Sequence, residues 1–174
     1  MNKTHGELTI REACAEDACQ LCLWWNDGAV MAHAGFPNGL GISEESIIRK
    51  LEDQSGRHYR HVILYQNKLI GEMNYRETAP DVCEIGIKIC DASMQNRGLG
   101  KIILSLFIRT LFGECGYRKI ILDTNLANTR AQHVYEQLGF QKLRVNIDSW
   151  KDQLGQPQSS VDYELTEKDF ISYL

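Results

Sequence analysis

The stretch Gln95-Asn96-Arg97-Gly98-Leu99-Gly100 joins a predicted strand, Cys83 to Cys90, to a predicted helix, Lys101 to Phe112. The first N–H groups of a helix have no partner inside it, so a strand, a glycine loop and a helix start favour anion binding. Glycine lets the backbone approach a ligand without an intervening Cβ. Arg97 and Lys101 add full positive charges to the partial charge of the helix dipole. The loop therefore predicts a pyrophosphate site.

The glycine loop alone is ambiguous, because Gly-x-Gly after a strand is often only a turn and a helix cap. A second segment, Asn128 to Phe140, reads N-T-R-A-Q-H-V-Y-E-Q-L-G-F. Together the two segments resemble the GNAT family of acyl-CoA-dependent N-acetyltransferases. That family carries a Q/R-x-x-G-x-G/A loop for the coenzyme A pyrophosphate and, further on, an N-x-x-A-x-x-x-Y-x-x-x-G-F helix. Both patterns match at every defining position, and the resemblance is strong from about Glu72 to Phe140.

The resemblance implies one α/β (α+β) domain over residues 1–174, with a mixed, mostly antiparallel central sheet flanked by helices. Its element order would be β-α-α-β-β-β-α-β-α-β-β. In the family, the third strand of the central meander and the strand after the long helix separate in a V-shaped gap. The pantetheine arm of coenzyme A lies in that gap and bonds free backbone groups as a strand would.

The hydrophobic periodicity of the chain predicts the same order of elements. The predicted strands are Glu7–Glu12, His58–Tyr65, Lys68–Tyr75, Val82–Cys90, Lys119–Asp123, Phe140–Ile147 and Ser160–Leu165. The first predicted helix begins at Ala15, and the others span Glu44–Gln54, Lys101–Phe112 and Thr129–Leu138. Ser43 and Asn128 are the predicted N-caps of the second and fourth helices, and Gly139 is the predicted C-terminal stop of the fourth. The predicted connections are a hairpin turn at Gln66-Asn67, a turn at Glu77–Asp81, a loop at Val30–Leu40 and a polar loop holding Trp150.

Composition excludes several classes of protein. The chain has 174 residues and a net charge of −4, which gives no electrostatic footprint for nucleic acid. No apolar run approaches the length of a membrane span and the first residues lack a signal peptide, so we expect a cytoplasmic protein. The six cysteines suggest reduced thiols, and the lone C-x-x-C at Cys19 and Cys22 has no second ligand pair, so we expect no metal.

Acetyl transfer from a thioester to an amine needs a proton acceptor, a group that polarises the carbonyl and a proton donor for the thiolate. Tyr135 is the candidate acid, because the resemblance places this hydroxyl at the coenzyme sulfur; a core aromatic is the alternative. Glu84 is the candidate base, at a spacing from the glycine loop that many family members share. Glu72 on the preceding strand and a chain of waters are the rivals, and an ion pair of Glu84 with Lys88 is the structural alternative.

The resemblance also assigns the residues that would bind the co-substrate, acetyl-CoA, with an N–H near Ile89 as the oxyanion donor. These residues are Ile89, Cys90, Gln95, Asn96, Arg97, Gly98, Leu99, Gly100, Lys101, Asn128, Ala131 and Tyr135. In the acceptor cleft, Trp24 is the candidate substrate contact beside Glu84, because it falls off the apolar stripe of the first helix. Trp25, His33 and Phe36 lie near it in sequence, and Asp148 and Trp150 could close the other side.

The sequence therefore predicts an acetyl-CoA-dependent N-acetyltransferase that acts on a primary amine by direct attack in a ternary complex. The acceptor would be a small molecule or a protein N-terminus, with no nucleic acid or membrane partner, and a homodimer is left open. A non-catalytic acyl-CoA-binding or sensor module on the same fold is the alternative. A P-loop or Rossmann nucleotide binder is disfavoured, because Ile102 follows Gly100-Lys101 and Ile103 holds the place of a third glycine.

Overall fold

The computed structural model of the chain describes residues 1–53 and 57–174. Its strands are β1 (Asn2–His5), β2 (Leu8–Glu12), β3 (His58–Tyr65), β4 (Lys68–Ala79), β5 (Val82–Ile89), β6 (Lys119–Asn125), β7 (Gln141–Lys151) and β8 (Pro157–Thr166). Its helices are α1 (Ala18–Trp25), α2 (Gly28–Met31), α3 (Glu44–Glu52), α4 (Leu99–Gly113) and α5 (Thr129–Gln137). Short 3-10 turns lie at Ala15–Asp17, Ala32–Ala34, Ala92–Met94 and Glu167–Asp169.

Within those residues the strands form one open sheet in the order β1-β2-β3-β4-β5-β6-β8-β7. Helices cover both faces, and the alternation of side chains along each strand supplies both cores. Ile63 packs with α4 and α5 on one face, while its neighbour Val62 packs with α1 and α3 on the other. Helix α4 is buried on nearly every side, which explains why its sequence is apolar all round.

The sheet splits between β5 and β6, its only parallel neighbours among the described strands. Their ladder covers only Val82–Glu84 against Lys119–Ile121. Beyond these residues β5 stays paired with β4 and β6 stays paired with β8, so the two strands diverge. We call the space between them the strand gap. Its position confirms the split that the resemblance implied.

Several local predictions are confirmed because short-range chemistry fixes them. Ser43 and Asn128 accept hydrogen bonds from backbone N–H groups three residues ahead and so cap α3 and α5. Gln66 and Asn67 both have positive φ, as the two-residue hairpin requires. Gly139 follows α5 with φ +96°, the left-handed conformation that ends a helix.

Other predictions of element boundaries are wrong where tertiary pairing decides them. Strand β1 was not predicted, because its polar residues carry no alternation and it exists only by pairing with β2. Strand β4 continues to Ala79 along β5, so the turn is confined to Pro80 and Asp81 rather than Glu77–Asp81. The hairpin of β7 and β8 is likewise longer than predicted, which places Trp150 on a strand.

The predicted loop at Val30–Leu40 also contains helical structure. The Asp27 side chain accepts a hydrogen bond from the Ala29 N–H at 2.8 Å and starts the short helix α2, which leads into the turn Ala32–Ala34. The predicted end of the second helix, Gln54, lies outside the described residues.

His61 on β3 makes the fold sensitive to acid. Its ring is 2% exposed and lies against Tyr75 and Phe107, and its Nδ1 has no hydrogen-bond partner among the described residues. Burial lowers its pKa from 6.5 to about 4. Below pH 6.5 the unfolded chain therefore binds a proton that the folded chain does not bind until about pH 4. The stability that neutral His61 maintains above pH 6.5 is lost as the pH falls through this window.

We expect protonation of the unfolded His61 alone to lower the free energy of unfolding by up to about 3 kcal/mol between pH 7 and pH 4. Urea unfolding at pH 7, 5.5 and 4.5 measures this effect. The variant His61→Phe should show a shallower dependence on pH than the wild type. The exchange of exposed His5 for Phe is the matched control and should leave the dependence unchanged. Equal slopes for the wild type and His61→Phe would contradict this account.

Candidate active site

A cavity of about 950 Å³ opens at the strand gap. Its walls are the C-terminal half of β5, the glycine loop (residues 95–100), the first turn of α4, the end of β6 and one side of α5. Helix α2, the turn after it and Trp150 form the opposite end, which we call the α2 end. The volume is in the range of sites that hold small molecules and cofactors.

The glycine loop presents free N–H groups to the cavity. No N–H of residues 96–101 has a hydrogen-bond partner within the described residues, and α4 begins at Leu99 without a side-chain cap. Asn96 and Gly98 have φ of 59° and 77°, so the chain turns twice through the left-handed region before the helix. Successive N–H groups in such a turn converge on an anion, and the dipole of the long helix α4 adds to their attraction.

Side chains hold this loop between β5 and α5. The Gln95 amide donates to the Ile89 carbonyl at 2.8 Å, and Arg130 donates to the Gln95 side-chain oxygen at 2.9 Å. Lys101 lies over the Tyr173 ring at 4.4 Å. Arg130 and Lys101 line the cavity, which gives its glycine-loop end two positive charges. The Arg97 side chain does not line the cavity and donates to the Met94 sulfur instead.

The backbone of β5 is partly free where it borders the strand gap. The Cys90 N–H donates to the Ile70 carbonyl at 2.8 Å on the β4 side. Because N–H groups alternate in direction along a strand, the Ile89 N–H points the other way, into the gap. Cys90, a predicted cofactor contact, does not line the cavity, and its N–H is already bonded to β4. Burial raises the pKa of its thiol to about 12 and keeps it neutral.

Tyr135 lies on the side of α5 that faces the gap. Its residue is 7% exposed, its ring packs edge-on against Phe140 and Tyr163, and its hydroxyl has no hydrogen bond within the described chain. Burial, and then the nearby charge of Asp123, raise its pKa to about 12. The phenol therefore keeps its proton at neutral pH, as a proton donor must. Asn128 caps this helix through a 3.2 Å bond from the Ala131 N–H, and both residues line the cavity.

Neither predicted base lies in the cavity. Glu84 does not line it, because its carboxylate is held by Arg76 on β4 at 2.8 Å. Glu72 is 3% exposed and accepts hydrogen bonds from the Trp25 indole at 2.9 Å and from Lys88 at 3.2 Å. The Lys88 ion pair predicted for Glu84 is therefore made by Glu72. These carboxylates tie strands and α1 together rather than face a ligand.

The predicted substrate contact Trp24 also lies outside the cavity. It is buried with α3 in the core of the α1 face and does not line the cavity, and neither do Trp25, Phe36 or Asp148. The α2 end is formed instead by His33 and Trp150 with small residues of α2. The helical periodicity of α1 predicted an exposed Trp24, but α3 also covers the side of α1 that lies off its apolar stripe.

The α2 end is tied to the β7–β8 hairpin. A Cβ on Gly35 would come within 2.4 Å of the Trp150 ring, so only glycine allows this close contact. The Gln153 N–H donates to the Gly35 carbonyl at 2.8 Å, and its side chain bonds Asn38 and Gly39. The hairpin and the α2 segment thus close this end as one unit.

The sequence matches the acetyltransferase (GNAT) domain family over residues 7–141. The chain belongs to the GNAT acetyltransferase family. The resemblance and the fold class that it implied are therefore confirmed. No curated protein matches the sequence.

Solved structures share this GNAT fold. A spermidine N-acetyltransferase from Vibrio cholerae in complex with CoA and spermine has a TM-score of 0.83 at 19% identity, over 95% of this chain and 98% of that chain. RimL, a ribosomal L7/L12 alpha-N-protein acetyltransferase in complex with coenzyme A, has a TM-score of 0.82 at 16% identity, over 94% and 96%. A GNAT-family acetyltransferase from Bacillus anthracis has a TM-score of 0.79 at 18% identity, over 97% and 99%. Identities this low establish the fold alone.

The GNAT cavity contains residues that sequence reasoning did not single out, among them Arg130 and Asp123. Asp123 lines it near the end of β6, and the only signal in the sequence is an acid that directly follows the apolar run Ile120-Ile121-Leu122. Within residues 1–53 and 57–174, no three potential metal ligands cluster, and no helix is both long and apolar enough to span a bilayer.

Proposed function

We propose that this GNAT acetyltransferase moves an acetyl group from acetyl-CoA to a primary amine by direct attack in a ternary complex. The observation that carries the proposal is that one cavity holds both the free N–H groups of the glycine loop and the unpartnered hydroxyl of Tyr135. Phosphates suit the first feature and a leaving thiolate suits the second.

The chain's own groups suit each requirement of the reaction. The backbone N–H groups of residues 96–101 and the side chains of Lys101 and Arg130 would bind the linked phosphates. Free backbone groups of β5 would orient the pantetheine arm along the strand gap, and the Ile89 N–H would polarise the acetyl carbonyl. Tyr135 would give its proton to the departing sulfur, which is the acid role predicted from the sequence. Acetyl-CoA supplies the activated acetyl group.

Two classes of acceptor fit this chain, a small amine and a protein N-terminus. The Vibrio cholerae relative is a spermidine N-acetyltransferase, and RimL acts on the N-terminus of a ribosomal protein. Both are primary amines, so we infer that chemistry for this chain. A cytoplasmic location and a homodimer remain predictions from the sequence.

The alternative is a module that binds acyl-CoA without catalysis. Such a module needs the glycine loop but has no use for a buried, protonated phenol beside the gap. The placement of Tyr135 in the cavity therefore favours the enzyme.

A turnover screen tests the proposal. We expect acetyl-CoA to release its thiol in the presence of some members of a panel of polyamines, diamines and peptides with a free α-amino group. Mass spectrometry should find an acetyl group on the amine, and N-acetylated versions of the same amines are the matched controls. Tight binding of acetyl-CoA without any acetylated product would instead support the binding module.

A further inference from the structure

Asp123 is the only carboxylate among the described residues that line the cavity. It lies two residues beyond Ile121, the last residue of β6 that pairs with β5, and therefore beside the strand gap. The positive side chains Lys101 and Arg130 lie at the glycine-loop end, so the cavity also carries an anionic group apart from its phosphate-binding cations.

Asp123 faces the side of the sheet opposite to the helix that carries Tyr135. Ile120 and Leu122 are buried in the core with α4 and α5, so the alternate residues Ile121 and Asp123 face the α1 and α2 side. Strand β6 also contacts the turn Ala32–Ala34 there. A reacting group in the gap would therefore have the Tyr135 hydroxyl on one side and the Asp123 carboxylate on the other.

The Asp123 carboxylate has no ion pair or side-chain hydrogen bond in the described part of the chain. Its charged neighbours are Glu84 on β5, Asp162 on β8 and, further along, Arg76 on β4. The same cavity is also lined by Lys88 on β5, whose ammonium donates to Glu72, by Tyr135 and His133 on α5, and by His33 of the α2 segment. The residue is exposed to solvent, and partial desolvation of its carboxylate, and then the charges of Glu84 and Asp162, raise its pKa above the usual range of a carboxyl. A more basic carboxylate is a better proton acceptor.

We propose that Asp123 binds the protonated form of the primary amine at the α2 end of the cavity and takes its proton as the amine attacks. This inference rests on the proposed function and replaces Glu84 with Asp123 as the base. An ammonium group can donate a charge-assisted hydrogen bond to this carboxylate, which has no ion pair with any described residue.

The step balances. Asp123 takes one proton from the ammonium, and the lone pair that this frees forms the new carbon–nitrogen bond. The carbon–sulfur bond breaks with its electron pair on sulfur, which takes the Tyr135 proton. The second proton leaves the nitrogen and returns through water to Tyr135. The proton on Asp123 passes to bulk water, so each turnover releases one proton.

Binding tests the proposal without requiring turnover. The CoA-loaded protein is titrated with spermidine and with trialanine, whose N-terminus is free. Isothermal titration calorimetry should detect binding of at least one of these two amines. Asp123→Asn should weaken that binding about 10-fold or more while CoA affinity stays the same. Asp162→Asn is the matched control, because Asp162 is paired with Asp123 in the sheet and lies outside the cavity with Arg144 and Asn146 as partners.

The pH profile separates a base from a structural residue. For any amine that turns over, Asp123→Asn should lower kcat/KM about 100-fold at pH 7, and the deficit should shrink as the pH approaches the pKa of the amine itself. Glu84→Gln and Asp162→Asn each remove a charge that raises the pKa of Asp123 but keep its carboxylate, so they should lower kcat/KM far less than Asp123→Asn. Unchanged amine binding in Asp123→Asn, a pH-independent deficit, or no amine binding to the wild type would each overturn the proposal. A wild type that binds amines through Asp123 but acetylates none would contradict the proposed function alone.

Discussion

Replacement of Gly98 by valine is expected to lower the affinity for acetyl-CoA about 100-fold or more. Gly98 is the N-cap of α4 with φ +77°, where a β-branched residue is strained by about 1–3 kcal/mol. A Cβ on Gly98 would meet no atom within 4 Å, so the valine side chain would project into the open space of the cavity that this residue lines. Either the loop shifts or the isopropyl group stands where the phosphates bind. Isothermal titration with acetyl-CoA measures the loss.

Gly116 offers a matched control for the backbone strain. It also has φ +77°, and a Cβ there would also meet no atom within 4 Å, but it lies outside the cavity. Gly116→Val should therefore lower the melting temperature by about as much as Gly98→Val and leave acetyl-CoA affinity unchanged. If a folded Gly98→Val variant bound acetyl-CoA as tightly as the wild type, the phosphates could not be bound at the glycine loop.

Replacement of Tyr135 by phenylalanine is expected to lower kcat about 100-fold, with little change in the affinity for acetyl-CoA. The hydroxyl has no partner in the described chain, and the ring contacts with Phe140 and Tyr163 remain, so the fold should lose little stability. Stopped-flow or steady-state thiol release measures kcat, and titration measures affinity. A kcat equal to that of the wild type would exclude Tyr135 as the acid.

Tyr163 is the matched control for this substitution. Its ring packs against Tyr135, but its hydroxyl donates to Glu136 at 2.9 Å and it lies outside the cavity. Tyr163→Phe should lower stability by about 1 kcal/mol and keep wild-type kcat. Because the pKa of Tyr135 is raised to about 12, loss of its proton should cause no decline of kcat up to about pH 10.

The glycine-loop half of the cavity could be predicted because it is local. The glycine loop, the cap at Asn128 and the position of Tyr135 on its helix all lie within short stretches, where spacing along the chain fixes spacing in the structure. The α2 end could not, because its walls come from α2, β6 and β7, which are far apart in sequence. Trp24 and Glu84 show the consequence, because neither reaches the cavity. Trp24 is buried in the core that α1 forms with α3, and Glu84 is paired with an arginine on the neighbouring strand.

The sequence by itself predicted seven of the eight described strands, the principal helices, their caps and a loop that suits phosphate, since periodicity and capping act between near neighbours. Only the tertiary structure decided which carboxylate reaches the cavity. Glu84, Glu72 and Asp123 are all acids on neighbouring strands, and each one's role depends on the cations and indole that other strands and helices bring against it. Glu84 and Glu72 gained ion-pair partners on folding and became structural, while Asp123, at the place where β6 leaves β5, gained no ion pair within the described part of the chain.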